Sequence, residues 1–185
     1  TNGGDDDKTT TEHLGKEKMK MPAGGYGGGP GQLAHCAPTY AAVLTLCIIA
    51  SHSPSSASSQ MALSLLHKVR LPLYAWFLSL RYHVPPYIAS SFLNNTSNTQ
   101  MTGYRMHHDG EVDVRATYTI LTITSLLNIT TKDLTNGAAM YVSSCQTYEG
   151  GFGGEFMNEA HGGYTYCALG ALVLLLQQPW VTKDE

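Results

Sequence analysis

The stretch HGGYTYCALGALVLLLQQP (161–179) decides how this chain is built. Two glycines and a tyrosine lead into the pair Thr165-Tyr166, and from there to Leu176 the run is apolar on nearly every side before it stops at Pro179. Tyr164, Ala168, Ala171 and Leu175 share one helical stripe and leucines fill the rest, so the spacing predicts a buried helix over 162–178. The same Thr-Tyr pair recurs early in two other apolar segments, as Thr39-Tyr40 in 38–50 and Thr117-Tyr118 in 112–127, each after a polar or glycine-rich lead. Tyr118 and Tyr166 lie 48 residues apart and Tyr40 and Tyr118 lie 78 apart. The excess matches two irregular stretches, the Ser-rich SHSPSSASSQ (51–60) and the Pro- and Asn-rich 82–105. A period near 50 with two helices per unit means stacked helical hairpins, either open or closed into a ring. The repeat also settles 112–127 as helix, although its Thr and Ile residues favour strand.

Other elements follow from local signals. Pro38 reads as the first position of its helix, where a missing N–H is harmless. A helix over 61–81 is expected to break or restart at Pro72. Thr130 and Asp133 have capping-box spacing before a helix over 132–145. Residues 1–23 read as a disordered polar leader, and 24–185 as one partial helical-repeat domain interrupted near 51–60 and 82–105, the latter a surface loop.

Composition closes off several classes. A net charge of -3 leaves no electrostatic footprint for nucleic acid, and no polybasic run marks a membrane surface. The longest apolar stretch, Ala168 to Leu176, falls well short of the ~20 residues that a membrane helix needs. The N-terminal residues lack the apolar core of a signal peptide, so an intracellular, cytoplasmic protein is expected. Four cysteines without a C-x-x-C pair read as small buried hydrophobes.

Three polar clusters precede the repeat helices: His35, then Glu111, Asp113 and Arg115, then His161. If the repeats are equivalent, these clusters meet on one rim at the helix N-termini, where exposed N–H groups and the helix dipole favour anions. A histidine there would donate to a phosphate and gain a raised pKa beside it. Tyrosines one or two turns in would line an apolar hole below. The residues alone thus read as an apolar cavity with an anion-binding mouth, which suits a prenyl diphosphate and several other ligands. Arg115 between Glu111 and Asp113 reads equally as a structural ion-pair cluster. His107-His108-Asp109 reads as a solvated loop before it reads as a metal site, and Trp76, Phe77 and Trp180 read as packing. The glycine-rich GGYGGGPG (24–31) and GGFGG (150–154) fit neither a dinucleotide fingerprint nor a P-loop.

Three stretches resemble the β subunits of protein prenyltransferases, specifically the farnesyltransferase type: GGYGGGPGQLAHCAPTYAAVLTLCIIA (24–50), MHHDGEVDVRATY (106–118) and YEGGFGGEFMNEAHGGYTYCALGALVLL (148–175). NITTKDL (128–134) resembles the segment expected between them. The resemblance implies an all-α fold, an α-α toroid whose ring is incomplete in this chain, paired with a helical α subunit. It implies transfer of farnesyl from farnesyl diphosphate to the cysteine thiol of a C-terminal C-a-a-X peptide. His161 would bond the diphosphate as the catalytic residue; Tyr118, Gly163, Tyr164 and Cys167 would line the isoprenoid channel; His35, Glu111 and Arg115 would hold the peptide carboxylate, largely through water.

The departures from that pattern matter as much. The resemblance implies zinc, with magnesium as a second cation, for the complete subunit. The Asp and Cys of the family's D-x-C motif and its later His are expected beyond Glu185, the last residue, and this chain contains no D-x-C. No metal ligand is therefore expected within 1–185. The chain is expected to be part of a longer catalytic subunit, or else a truncated β-like chain that binds an α subunit or an isoprenoid without transferring it. A type I geranylgeranyltransferase β subunit shares the layout. A terpene cyclase toroid would need D-D-x-x-D or D-x-D-D, and neither occurs.

Overall fold

Three of the helices lie side by side, and each begins where the sequence places a polar residue before a Thr-Tyr pair. The computed structural model describes residues 24–90 and 100–180. Helix α1 (Cys36–His52) packs on α4 (Val114–Leu126), and α4 packs on α7 (Gly162–Leu176). The chain returns between α1 and α4 through α2 (Ala57–Ser79), which covers α1, and between α4 and α7 through α5 (Lys132–Thr135) and α6 (Ala138–Ser144). The result is the stacked helical hairpin arrangement that the repeat predicts, in an all-helical setting apart from one small antiparallel pair, β1 (Arg81–His83) with β2 (Thr102–Tyr104).

Helix α4 sits in the middle and is buried on most sides. Ala116, Ile120 and Ile123 join a core with Val43, Leu73, Trp76 and Phe77 of α1 and α2. Val114 and Leu121 join a second core with Val142 of α6 and Ala168, Ala171 and Leu175 of α7. Its β-branched residues cost less here than propensity suggests. Thr119, Thr122 and Thr124 donate their hydroxyls to the carbonyls of Arg115, Tyr118 and Leu121, so helical backbone satisfies them. Helix α7 buries Ala168, Ala171 and Leu175 of the expected stripe but leaves Leu169, Val173 and Leu176 more than half exposed on another.

Several local expectations need correction. Helix α1 starts two residues earlier than Pro38, which therefore stands third in the helix. Its first-turn position still lacks an intrahelical partner for an N–H, so the proline costs nothing. Pro72 does not break α2, which runs through it. The carbonyl four residues back, left without its donor, belongs to exposed Lys68 and is not sealed from solvent in the core. The single helix expected over 132–145 is two, separated by Gly137 at φ +78, where an added Cβ would stand 2.3 Å from the Gln100 carbonyl. Thr131, not Thr130, caps the first of them through the Leu134 N–H.

The stretches read as interruptions also carry structure. Residues 51–60 contain the end of α1, a short turn and the start of α2, which Ser56 caps. In 82–105 the end is core rather than surface: Met101, Thr102 and Tyr104 are buried. Short helix α3 (Pro86–Ala89) lies within the same stretch. The leader at 1–23 lies outside the described residues, and so does the end of the proposed domain, 181–185 with Glu185. No helix among the described residues is long and apolar enough to cross a membrane.

Candidate functional site

A single local motif, used three times, assembles the rim. His35, Asp113 and His161 are the N-caps of α1, α4 and α7. Each side chain accepts from the backbone N–H two residues on: His35 Nδ1 from Ala37 at 3.0 Å, Asp113 Oδ1 from Arg115 at 2.7 Å, His161 Nδ1 from Gly163 at 3.0 Å. Each cap N–H in turn donates to the carbonyl of an aromatic residue nine positions back, Tyr26, Tyr104 and Phe152, all at 3.1 Å. Each of those aromatics follows a glycine, and each cap precedes its Thr-Tyr pair by four residues. Tyr26 and Phe152 lie in the two glycine-rich loops, and Tyr104 lies in β2. The end of the 82–105 stretch is thus the middle repeat's counterpart of those loops.

Ring and ion-pair contacts link neighbours along this rim, and the charges of Glu111 and Arg115 reach His35 of the first repeat. The His35 and His107 rings lie 5.5 Å apart between centroids. Arg115 reaches Asp113 through Nε and Nη2 at 2.7–3.0 Å and approaches Glu111 at 3.7 Å. Its guanidinium stands over the Tyr164 ring, 5.3 Å from the centroid, and Tyr164 lies 5.5 Å from the His161 ring. The second glycine-rich loop fits between Asp113 and Tyr164. A Cβ on Gly154 would come within 2.9 Å of the Tyr164 ring and 3.2 Å of Asp113 Oδ2. The structure therefore brings His35, Glu111, Arg115, Tyr164 and His161 together.

One turn below, the repeat tyrosines form a row. Tyr40 and Tyr118 rings are 6.2 Å apart, and Tyr118 and Tyr166 meet edge-on at 5.5 Å with hydroxyls 3.2 Å apart. Tyr118 lies close on α7 because position 170 is glycine: a Cβ there would stand 2.6 Å from the ring. Cys167 is half-buried and packs against the second core, as Tyr118 and Tyr164 do, and burial raises its thiol pKa. Gly163 is at the rim itself, exposed, with its N–H on His161. An open concavity of about 630 Å³ lies beside the first cap, lined by Gly28, Leu33, His35, Pro38 and His107.

Electrostatics at the rim follow from these partners. Hydrogen bonding to Asp113 raises the Arg115 pKa, against some burial, so this cation is fixed. For His35 the protein's own groups act against the rise in pKa expected beside a phosphate. Burial lowers the pKa, His107 and Arg115 push in the same direction, and Glu111 opposes them. Neither histidine of the His-His-Asp run is simply solvated: His107 packs on His35, while His108 bonds Ser79 at 2.8 Å and faces Trp76. The two rings therefore serve different contacts. Among the described residues, no group of three or more His, Cys, Asp or Glu side chains is placed to hold a metal ion, so zinc does not fit the residues of this rim. Glu185, beyond which the resemblance puts the zinc ligands, lies outside the described residues.

Residue-by-residue reading gave no individual site role to three members of this assembly, Tyr40, Tyr166 and His107. Tyr40 and Tyr166 follow from Tyr118 once the repeat is applied, since they occupy its position. His107 had no such signal, because the equivalent positions, three residues after Tyr26 and Phe152, are Gly29 and Glu155.

The family described as the prenyltransferase alpha-alpha toroid domain matches residues 4–185. The chain is 45% identical over 162 residues to a protein farnesyltransferase subunit beta of Arabidopsis thaliana, covering 88% of this chain and 28% of that protein. It is 39% identical over 158 residues to the subunit of that name from Pisum sativum, covering 85% of this chain and 31% of that one. A geranylgeranyl transferase type-1 subunit beta of Arabidopsis thaliana is 39% identical over 70 residues, 38% of this chain and 19% of that protein. The chain thus spans about three tenths of the length of the farnesyltransferase relatives. A repeat of capped helices, matched along nearly its whole length by one family model, makes this chain a member of the prenyltransferase α-α toroid family, similar over most of its residues to farnesyltransferase β subunits.

Proposed function

We propose that this chain is part of the catalytic β subunit of a protein farnesyltransferase. The observation that carries the reading is the gathering on one rim of His35, which feels the charges of Glu111 and Arg115, with Arg115 stacked on Tyr164 and Tyr164 beside His161, above a row of tyrosines. Hydrogen-bond donors above an aromatic row suit a ligand with an anionic head and an apolar tail. In this reading His161 donates to the diphosphate of farnesyl diphosphate and stabilises charge on the leaving group. Tyr118, Gly163, Tyr164 and Cys167 lie along the isoprenoid, while His35, Glu111 and Arg115 hold the C-terminal carboxylate of a C-a-a-X substrate through water. The substrate thiol gives up its proton to solvent, its sulfur forms a bond to the farnesyl carbon as the carbon–oxygen bond breaks, and diphosphate leaves with that bond's electron pair.

The complete subunit works in this reading as a heterodimer with an α subunit in the cytoplasm. Zinc and magnesium belong to that complete subunit, with the zinc ligands past Glu185, and no step is assigned to either ion, because the described residues offer no metal-holding group. In a second reading, a β-like chain binds an α subunit or an isoprenoid and transfers nothing. Both are tested by pairing the complete β subunit with an α subunit and offering a C-a-a-X peptide with farnesyl or geranylgeranyl diphosphate. Farnesylation of the peptide thiol is expected. Transfer of geranylgeranyl in preference would make it a type I geranylgeranyltransferase subunit, and binding without transfer would favour the second reading.

A further inference from the structure

His35 and His161 hold the same place in the first and third repeats, and both are committed at one ring nitrogen. Each Nδ1 accepts from a backbone N–H at 3.0 Å. A nitrogen that accepts carries no proton, so the neutral ring must keep its proton on Nε2. Adding a proton at Nδ1 would set an N–H against an N–H and cost the helix its cap. The groups around each ring are few. His35 faces His107, Glu111 and Arg115, and the balance among them together with burial lowers its pKa. His161 faces Tyr164 on its own helix, and Arg115 of α4 stands over that same tyrosine. Position 163 is kept clear for the ring: a Cβ there would stand 3.2 Å from His161 Nδ1.

The middle repeat supplies an internal comparison. Asp113 caps α4 in the same manner but has no proton to offer, and its carboxylate holds the Arg115 side chain. Each repeat thus brings one donor group to the rim, two directly from a capping imidazole and one through an arginine held by a capping carboxylate. We infer that His35 and His161 act as neutral Nε2–H donors, with the tautomer fixed by the helices they cap. Anions at the rim then meet two uncharged donors beside one permanent cation. In this arrangement a proton at Nδ1 of either ring competes directly with the cap bond of its helix. This rests on the reading of the rim as a diphosphate and carboxylate site.

The test uses the complete β subunit with its α subunit, labelled with ¹⁵N-histidine, and signals assigned by substitution at 35 and 161. An unprotonated Nδ1 and a protonated Nε2 are expected at both residues at neutral pH, with and without farnesyl diphosphate. A protonated Nδ1 at either residue would overturn the inference. Two variants separate capping from donation. His161→Asn keeps an acceptor for the Gly163 N–H and adds a neutral donor, whereas His161→Asp keeps the acceptor alone. Both should melt near the parent temperature, and the Asp variant should bind farnesyl diphosphate about tenfold more weakly than the Asn variant. Equal affinities would overturn the donor role. If the unaltered heterodimer binds no farnesyl diphosphate, the reading of the rim fails, while the tautomer seen in the free protein is decided separately.

Discussion

Three threonines at one repeat position should respond differently to the same substitution. Thr39 Oγ1 accepts from the Tyr26 N–H at 2.8 Å and donates to the His35 carbonyl at 2.7 Å, and the residue is fully buried. Thr165 Oγ1 accepts from the Phe152 N–H at 3.0 Å. Thr117 is as buried as Thr39, but among the described residues its hydroxyl has no partner. Valine matches threonine in shape and removes the hydroxyl. Thr39→Val and Thr165→Val each leave a loop N–H without its acceptor, at a cost of about 1–3 kcal/mol. Thr117→Val removes a buried polar group that nothing satisfies, so stability should stay level or rise by up to about 1 kcal/mol. With a urea dependence of about 2 kcal/mol per molar, the first two should lower the unfolding midpoint by about 0.5–1.5 M. Tryptophan fluorescence should report the transition, since Trp76 is buried in the first core. If Thr117→Val costs as much as Thr39→Val, the glycine loops are not anchored by these hydroxyls and the comparison between repeats fails.

Burial pushes the Cys36 and Cys145 thiols up to about 12, so at pH 8 only about one in ten thousand molecules carries either thiolate. A thiol reagent should therefore react in the native protein at Cys47 and Cys167 first; modification of all four at one rate would contradict the two buried assignments. Those raised values also set a sign for pH dependence. The unfolded thiols ionise near their ordinary value while the folded ones resist, so stability present below that value is lost as pH rises above it. A falling urea midpoint in the alkaline range, reduced in a Cys36→Ala/Cys145→Ala protein, is the expected result. Gly170→Val puts a side chain into the Tyr118 ring and should cost about 1–3 kcal/mol while weakening binding of a fluorescent farnesyl diphosphate analogue. Unchanged binding would show that the tyrosine row does not line the tail's path. Asp113→Asn keeps an acceptor for the cap of α4 and drops the charge that holds Arg115, so KM for a C-a-a-X peptide should rise with little change in melting temperature.

Much of the architecture was legible because the repeat is written in residue types that have one structural use. A Thr-Tyr pair four residues past a polar residue, opening an apolar run, marks the start of each inner helix, and that equivalence outweighs the strand propensity of 112–127. The same equivalence puts His35, Arg115 and His161 on one rim. What stayed hidden has physical causes. Histidine is not a usual N-cap, so His35 and His161 carried no capping signal. The middle Gly-aromatic pair, Gly103-Tyr104, follows an Asn- and Ser-rich stretch, and composition masked its place in the repeat. Pro72 looked like a break because sequence does not show which carbonyl it leaves open, or that the carbonyl belongs to an exposed residue.

The corrected register changes what the extra residues mean. Once Tyr104 is aligned with Tyr26 and Phe152, the additional length between the first and second repeats falls wholly before it, in α2, β1 and the stretch that leads to β2. None of it lies between a cap and its helix. The rim is therefore built from the part that all three units share, and its spacing is set by how α1, α4 and α7 pack rather than by the connections. A change in 84–100 should then alter stability without moving His35 relative to His161, whereas a single residue inserted between any aromatic and its cap should break the cap bond at that repeat. The ordering of those two effects follows from the 3.1 Å bonds that join Tyr26, Tyr104 and Phe152 to their caps. Shortening 84–100 while keeping farnesyl diphosphate binding, against loss of binding on insertion after Phe152, is the pair of results this geometry requires.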